Sequence, residues 1–181
     1  EAGRANLNVI IADDDFEIGG RLNSENFIID NELSSNWVQS TLNKLNEMSN
    51  VRIMKRTTIY GSFDHGIFGG LEIKFDHYNG SENKPRQVLW KIYSKYSILC
   101  SGATERSIAF GNNDRPGIML AGALRSYLNR WSLCPGKNIV IFTNNDDGWK
   151  TALDLKAKNI NLKAVIDTRE NVNFKIPDTQ I

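Results

Sequence analysis

An acidic triplet follows the first apolar stretch of the chain. Val9–Ala12 has the continuous apolar character of a parallel strand buried on both faces, and Asp13, Asp14 and Asp15 come directly after it. A carboxylate at the carboxyl end of the second strand of a dinucleotide-binding unit accepts hydrogen bonds from the adenosine ribose diol, and it repels a 2′-phosphate. The triplet therefore favours a site for NAD or FAD over one for NADP. On the triplet alone, a solvated acidic turn is the competing interpretation.

Paired glycines strengthen the nucleotide interpretation. Gly19 and Gly20 allow a backbone to pass close to a pyrophosphate, and Arg21 follows with a charge for a phosphate or a ribose. The strand, glycine loop and helix that normally come about 20 residues before the acidic position have no counterpart in residues 1–8. We expect a partial unit whose exposed strand edge is filled by strand 138–143, by a second copy of the chain, or by nothing.

Two loops in the second half of the chain are weaker candidates. Cys100–Arg106 is predicted to follow a strand, where ligands approach in open α/β sheets, although an ordinary turn explains it equally. Pro116 is typical of the first position of a helix, and Asp114 is the predicted cap of that helix.

A second βαβ unit is predicted near the end of the chain. It consists of strand 138–143, helix 148–158 and strand 161–167. Asp146 and Asp147 precede the helix, where we expect them to cap its N-terminus and to repel a pyrophosphate. The pattern therefore predicts a Rossmann-like shape without a nucleotide site, suited to packing or to subunit contacts.

No catalytic or metal site is expected. Asp64–His65 and Asp76–His77 place a histidine beside a carboxylate, but no serine or cysteine nucleophile accompanies either pair. Two histidines and two separated cysteines match no metal-binding spacing. Cys100 and Cys134 are predicted to be small buried hydrophobic residues in a reducing compartment.

Composition excludes several classes of function. Lys and Arg number 22 against 21 Asp and Glu, so the net charge of +1 offers no basic field for nucleic acid. The longest apolar runs are about five residues, whereas a membrane-spanning helix needs about 20. No basic segment followed by an apolar stretch opens the chain, so no signal peptide is predicted and we expect a cytoplasmic protein.

The remaining periodicity predicts an α/β protein. Residues 33–48 form an amphipathic helix with Asn31, Ser34 or Ser35 as its cap and Asn50 as its stop. Four strands are predicted in the β-rich part of the chain, at residues 51–60, 67–76, 87–93 and 96–100. The predicted architecture is a partial FAD/NAD-type Rossmann fold with an inserted antiparallel β layer in residues 1–115, followed by the Rossmann-like βαβ segment in residues 116–181. The polar tail from Glu170 is expected to be frayed or to continue into a longer chain.

Several long and unusual stretches make the chain similar to a known family. It resembles the alpha subunit of heterotetrameric sarcosine oxidase, and the resemblance covers nearly the whole sequence. The stretches that carry it are Val9–Leu22, Arg56–Gly61, Phe63–His65, Pro85–Trp90, Gly102–Arg106, Gly111–Met119, Tyr127–Arg130 and Phe142–Asp147.

The resemblance implies a role in a larger enzyme. The family complex demethylates sarcosine oxidatively to glycine, and the alpha subunit carries NAD. FAD, FMN and tetrahydrofolate act elsewhere in that complex, whose other subunits are beta, gamma and delta. The amine site and the folate-binding region lie outside the stretch that this chain resembles, so we expect no catalytic centre here.

Individual positions carry over from the family. The acidic triplet matches the ribose-contacting stretch, in which the middle residue is usually glutamate, so Asp14 reaches about one methylene less far. Arg21 stands where a small or hydroxyl residue is usual after the glycine pair. Ile59 matches the strand residue whose backbone reads the adenine edge, and Gly102 matches the glycine of a strand-end turn. The alternative to this NAD-binding role is a non-enzymatic assembly module that has lost its ligand, and a hydride-transferring dehydrogenase is a weaker third interpretation.

Overall fold

The computed structural model describes residues 1–75, 85–172 and 174. The chain divides into two compact units. The first unit contains Glu1–Leu22 and Phe27–Ser101, and the second contains Asn23–Asn26 and Gly102–Ile181. No helix among the described residues is both long enough and apolar enough to cross a membrane.

The first unit combines a parallel strand pair with an antiparallel sheet. Its elements are β1 (Val9–Ala12), β2 (Ile28–Ile29), β3 (Glu32–Leu33), α1 (Ser34–Asn46), β4 (Val51–Met54), β5 (Thr57–Phe63), β6 (Ile67–Ile73) and β7 (Gln87–Tyr93).

Strands β1 and β4 form a parallel pair. The two strands run in register from Val9 opposite Val51 to Ala12 opposite Met54, and α1 provides the crossover. The prediction that β1 is buried on both faces is wrong, because Ile10 is 47% exposed. In the described part of the chain β1 pairs with β4 alone, and strand Ile139–Thr143 pairs with strand Leu162–Asp167. The first of the three alternatives for the open edge, filling by strand 138–143, is therefore wrong.

Helix α1 is amphipathic as predicted, but its ends differ. Leu33 occupies the N-cap position without any side-chain cap, so the predicted caps Asn31, Ser34 and Ser35 are wrong. The helix ends at Asn46. Asn50, the predicted stop, instead donates its side-chain amide to the carbonyl oxygens of Gly3 and Leu7, each at 2.8 Å, and so ties the start of the chain to the entrance of β4.

The inserted antiparallel layer is confirmed as the sheet β5–β6–β7. Strand β7 has the predicted bounds. The predicted strand 51–60 is divided into β4 and β5 at Arg56, because the φ of 51° at this residue is incompatible with a β-strand. The predicted strand 96–100 is wrong: its residues form no secondary structure, and Leu99 is 89% exposed. The end of the predicted strand 67–76 and the Asp76–His77 pair lie outside the described residues.

The second unit contains the predicted βαβ arrangement. Its elements are α2 (Ala121–Arg125), which continues as a wider π-helical turn over Ser126–Arg130, then β8 (Ile139–Thr143), α3 (Asp146–Ala157) and β9 (Leu162–Asp167). Strands β8 and β9 are parallel neighbours, as a right-handed crossover unit requires. A small apolar core joins α2, α3 and β8 through Leu124, Leu128, Ile141, Ala152 and Leu155.

The predicted helix at Pro116 does not form there. Gly117 has a φ of 95°, which is incompatible with a right-handed helix, and α2 begins only at Ala121 after the N-cap residue Leu120. Asp114 is therefore not a cap. The carboxylate of Glu105, 16 residues before Ala121, accepts hydrogen bonds from the backbone N–H groups of Ala121 and Gly122 at 3.1 and 2.8 Å. Of the predicted tail, residues 173 and 175–181 lie outside the description, and the Phe174 ring stacks on Trp149.

Candidate functional site

The carboxyl ends of β1 and β4 form one edge of the first unit, and the acidic triplet lies there. The backbone N–H of Asp13 donates to the carbonyl of Met54 at 3.0 Å, and that of Thr57 donates to the carbonyl of Asp13 at 2.8 Å. The backbone N–H of Arg56 donates to the carbonyl of Asp15 at 2.8 Å. These bonds hold the triplet against the chain that leaves β4, at the kind of edge where open α/β sheets receive ligands.

The three carboxylates of the triplet differ in the hydrogen bonds they make. Asp13 Oδ1 accepts the backbone N–H of Asp15 at 3.0 Å, and Asp15 Oδ1 accepts that of Phe16 at 2.7 Å, so both side chains shape the turn. Asp14 is exposed, and its carboxylate has no hydrogen-bond partner among residues 1–75, 85–172 and 174. A carboxylate held at a strand end with free acceptor oxygens is what recognition of a sugar diol requires.

The glycine pair follows in the same loop. Gly19 and Gly20 have φ angles of 139° and 52°, which side-chain-bearing residues rarely adopt, and Gly20 opens the 3₁₀ turn Gly20–Asn23. A Cβ on Gly20 would meet no atom within 4 Å, so open space surrounds this backbone. Arg21 is exposed on the same turn. The loop can therefore present backbone and a cation to an approaching anion.

The other two predicted residues belong to other elements. Ile59 is in β5, 41% exposed and opposite Gly70, and a bulge follows it before Gly61. Gly102 belongs to the second unit and has a φ of 70°. Residues 94–101, directly before Gly102, form no strand, so the prediction that Gly102 lies in a strand-end turn is wrong.

The cysteines were also predicted wrongly. Cys100 and Cys134 are both exposed and unpaired by any disulfide. Their neighbours in sequence are apolar, but the segments that carry them, residues 96–101 and 132–137, form no helix or strand. His65 is exposed as well and lies in the turn Asp64–Gly66 with a φ of 64°. Among the described residues, no group of three or more His, Cys, Asp or Glu side chains is placed to hold a metal ion.

A buried charged cluster in the first unit was missed by sequence reasoning. Glu72 is only 7% exposed. Its carboxylate accepts a hydrogen bond from Trp90 Nε1 at 2.7 Å and forms an ion pair with Lys74. Burial raises the pKa of the Glu72 carboxyl, but the hydrogen bonds from Lys74 and Trp90 outweigh it, so the pKa is lowered overall. The Arg52 guanidinium lies 4.3 Å from the centre of the Trp90 ring. The cluster joins β4, β6 and β7, which is a structural role.

Among the described residues, the first unit has a cavity between α1, β4 and β6 and another on the antiparallel sheet, and neither of these is lined by a residue of the acidic triplet. One of about 370 Å³ lies between α1, β4 and β6, lined by Gln39, Leu42, Asn46, Ile53, Lys55 and Glu72. The other, of about 400 Å³, lies on the antiparallel sheet, lined by Tyr60, Phe63, Ile67, Phe68, Gly69, Leu89, Trp90 and Lys91.

At the carboxyl ends of β8 and β9, side chains of the βαβ unit bond one another. Asn145, not an aspartate, caps α3 by accepting the backbone N–H of Asp147 at 3.0 Å, which corrects the predicted capping by Asp146 and Asp147. The Arg169 guanidinium bonds Asp167 and Asp146, each at 2.8 Å. The Arg169 hydrogen bond, helped by Trp149 Nε1, holds the pKa of the Asp167 carboxyl far below its usual range.

Comparison with solved structures defines the class of fold. The chain is similar to the crystal structure of L-proline dehydrogenase from P. horikoshii, with a TM-score of 0.70 over 92% of this chain and 32% of that one. The sequence identity is 22%, so this likeness concerns the fold alone. The chain therefore has the mixed α/β architecture of the Rossmann type, as predicted.

Sequence comparison identifies the relatives. No family model matches the chain. It is 39% identical over 169 residues to sarcosine oxidase subunit alpha of Rhizobium meliloti (strain 1021), and 36% identical over 176 residues to that of Corynebacterium sp. (strain P-1). These matches cover 93% and 96% of this chain but 17% and 18% of the relatives. The predicted resemblance is confirmed: the chain is homologous to a part of the sarcosine oxidase alpha subunit.

Proposed function

We propose that this chain binds the adenosine part of NAD at the edge formed by β1 and β4, within a dinucleotide-binding domain of residues 1–115. The observation that carries the proposal is the exposed Asp14 carboxylate, which follows a parallel strand and makes no hydrogen bond to the described protein. Asp13 and Asp15 hold the turn that presents it.

Each predicted residue has a distinct part in this proposal. Asp14 accepts hydrogen bonds from the two ribose hydroxyls, and the Gly19–Gly20 turn offers its open backbone to the pyrophosphate. Arg21 adds positive charge beside that turn. The backbone of Ile59 reads the adenine edge. Gly102 lies in the second unit and stays a prediction from the family resemblance.

The whole protein is proposed to be an oxidoreductase subunit. Both relatives are named as subunits of sarcosine oxidase, so we propose oxidative demethylation of sarcosine to glycine in a cytoplasmic complex with beta, gamma and delta subunits. FAD, FMN and tetrahydrofolate serve the parts of that complex outside this chain. The residues of this chain then hold a nucleotide and take no part in bond breaking.

Calorimetric titration of the chain with NAD tests the proposal. We expect a dissociation constant below about 100 μM, or about 5.5 kcal/mol of binding free energy. Asp14→Ala should weaken binding by about tenfold or more, because a hydrogen bond to a charged group contributes about 1.5–3 kcal/mol. Asp64→Ala is the matched control, since Asp64 is an exposed aspartate of the same unit in a turn away from the triplet. Equal losses in the two variants would reject Asp14 as the ribose ligand.

An assembly module without a ligand is the second candidate function. The antiparallel sheet favours it, because Leu89, Tyr93 and Tyr60 are 73%, 67% and 59% exposed on strands β5 and β7. No heat with millimolar NAD, together with self-association in sedimentation velocity, would support this candidate instead of the nucleotide site.

A further inference from the structure

The cavity between α1, β4 and β6 brings together opposite charges that the proposed nucleotide site does not use. Its volume of about 370 Å³ is sufficient for a small molecule, because ligand sites in proteins enclose about 300–1,000 Å³. The residues that line it all belong to the first unit, and they are Gln39, Leu42, Asn46, Ile53, Lys55 and Glu72.

Glu72 supplies a fixed negative charge to this cavity. Burial raises the pKa of its carboxyl, but hydrogen bonds from Lys74 and Trp90 lower the pKa overall, so the group is ionised at neutral pH. Lys74 Nζ pairs with Oε1, and Trp90 Nε1 donates to Oε2. An ionised carboxylate has about four acceptor positions. Each oxygen of Glu72 therefore keeps capacity for a further donor besides these two structural bonds.

Lys55 supplies a positive charge to the same cavity. It follows the last residue of β4, and its carbonyl accepts the hydroxyl of the buried Thr57 at 3.0 Å, which fixes the backbone at this point. Its ammonium has no hydrogen-bond or ion-pair partner within residues 1–75, 85–172 and 174. Lys55 and Glu72 thus line one cavity without forming an ion pair with each other.

The remaining walls offer both polar and apolar contacts. Gln39 and Asn46 of α1 bring primary amides, which both donate and accept hydrogen bonds. Leu42 and Ile53 are half-buried and bring aliphatic surface from α1 and β4. The cavity therefore suits a molecule with charged groups of both signs and a short aliphatic part.

We propose that this cavity binds a free aliphatic amino acid in its zwitterionic form. The ligand ammonium donates to the spare acceptor positions of Glu72, and the ligand carboxylate accepts from the Lys55 ammonium. Such charge-assisted hydrogen bonds are about twice as strong as neutral ones. The aliphatic side chain of the ligand packs against Leu42 and Ile53. An anion alone leaves Glu72 without its new donor, and a cation alone leaves Lys55 unpaired, so the combination of charges determines specificity. The inference does not depend on nucleotide binding.

Titration of the isotope-labelled 181-residue chain with L-valine, followed by NMR, tests the site. We expect saturable shifts with a dissociation constant of about 1 mM, which is reasonable for a ligand of this size. The shifts should be largest at the backbone amides of the lining residues. Isovalerate lacks the ammonium of valine and isobutylamine lacks its carboxylate, so each should bind at least about tenfold more weakly. Isovalerate also tests the role of Glu72 without disturbing its bonds to Lys74 and Trp90.

Substitution of Lys55 tests the carboxylate anchor. Lys55→Gln should fold normally, because this side chain is exposed, and should weaken L-valine binding about tenfold while leaving isobutylamine binding no weaker. Lys44→Gln is the matched control, since Lys44 is an exposed lysine of α1 that does not line the cavity.

Four results would overturn the site. They are the absence of saturable shifts at tens of millimolar L-valine, equal binding of L-valine and isovalerate, equal effects of Lys55→Gln and Lys44→Gln, and competition between L-valine and NAD. Competition would assign Lys55 to the nucleotide edge. Binding of L-valine to a chain that binds no NAD would support this site and reject the proposed nucleotide function, so the two proposals fail separately.

Discussion

Gly148 of α3 offers a substitution whose cost is defined by the structure. A Cβ at this buried position would lie 2.4 Å from Thr143 Oγ1 and 2.5 Å from Thr143 Cβ, distances that side chains do not reach without displacement. Thr143 is 6% exposed, and its hydroxyl donates to the carbonyl of Asn145 and accepts its backbone N–H, so it moves only at the loss of those bonds. Gly148 is therefore a packing glycine between α3 and β8.

Gly148→Ala should destabilise the chain by about 2 kcal/mol. Overpacking costs about 1–3 kcal/mol and the disturbed hydroxyl about 1 kcal/mol, while the better helix propensity of alanine returns about 1 kcal/mol. For a chain of this size, the midpoint of thermal unfolding should fall by about 4–8 °C.

The assay is thermal unfolding followed by circular dichroism, with urea unfolding as a second measurement. Gly111→Ala is the matched control, because a Cβ there would meet nothing within 4 Å, and its midpoint should change little. A midpoint for Gly148→Ala equal to or above that of the unmodified chain would refute the close approach of α3 to β8.

Three further predictions follow from described contacts. The pKa of the Asp167 carboxyl is lowered in the folded chain, chiefly by Arg169. The stability that this carboxylate contributes is therefore present above its unfolded pKa of about 3.9 and is lost as the pH falls below that value. In urea unfolding at pH 7 and pH 3, Asp167→Asn should lose less stability on acidification than the unmodified chain, and an equal loss would contradict this. Gly66→Ala should lower the free energy of unfolding by more than about 1–2 kcal/mol, because φ of Gly66 is 69° and the new Cβ would overlap the carbonyl oxygen of Ser94. A change below about 0.5 kcal/mol, the size expected of a surface substitution, would be inconsistent with that contact. Glu105→Ala should cost about 1 kcal/mol, as loss of a helix cap does, and should speed amide exchange at the start of α2; unchanged exchange there would show that the carboxylate does not cap it.

Elements with strong local patterns were predicted well from sequence. Strand β7 shows an alternation of exposed and half-buried residues. Strands β8 and β9 are short apolar runs, and the segment between them has the apolar periodicity of a helix, which is α3. The helix expected from Pro116 begins only at Ala121, because Gly117 has a positive φ that the preceding proline does not reveal, whereas its later turns form over residues 121–130. Apolar content alone predicted strand 96–100, but a strand also needs a neighbour, and the sequence does not specify one.

The candidate site was only partly visible in the sequence. The order of strand, acidic triplet and glycine pair is local, so the positions could be named. Which carboxylate of the triplet stays free depends on backbone hydrogen bonds within the turn, and these assign Asp13 and Asp15 to structure and leave Asp14. Lys55 and Glu72 line one cavity together with residues of α1, and a single sequence carries no signal for that arrangement.

The most direct test of the central claim compares NAD with NADP in calorimetric titrations of the unmodified chain. A carboxylate that accepts the ribose hydroxyls repels a phosphate on the 2′ oxygen, so Asp14 should make NAD bind at least about tenfold more tightly than NADP. Asp14→Ala should remove most of that preference. Equal affinities for the two dinucleotides, or a preference that survives in Asp14→Ala, would contradict the assignment of this strand edge as a ribose-binding site.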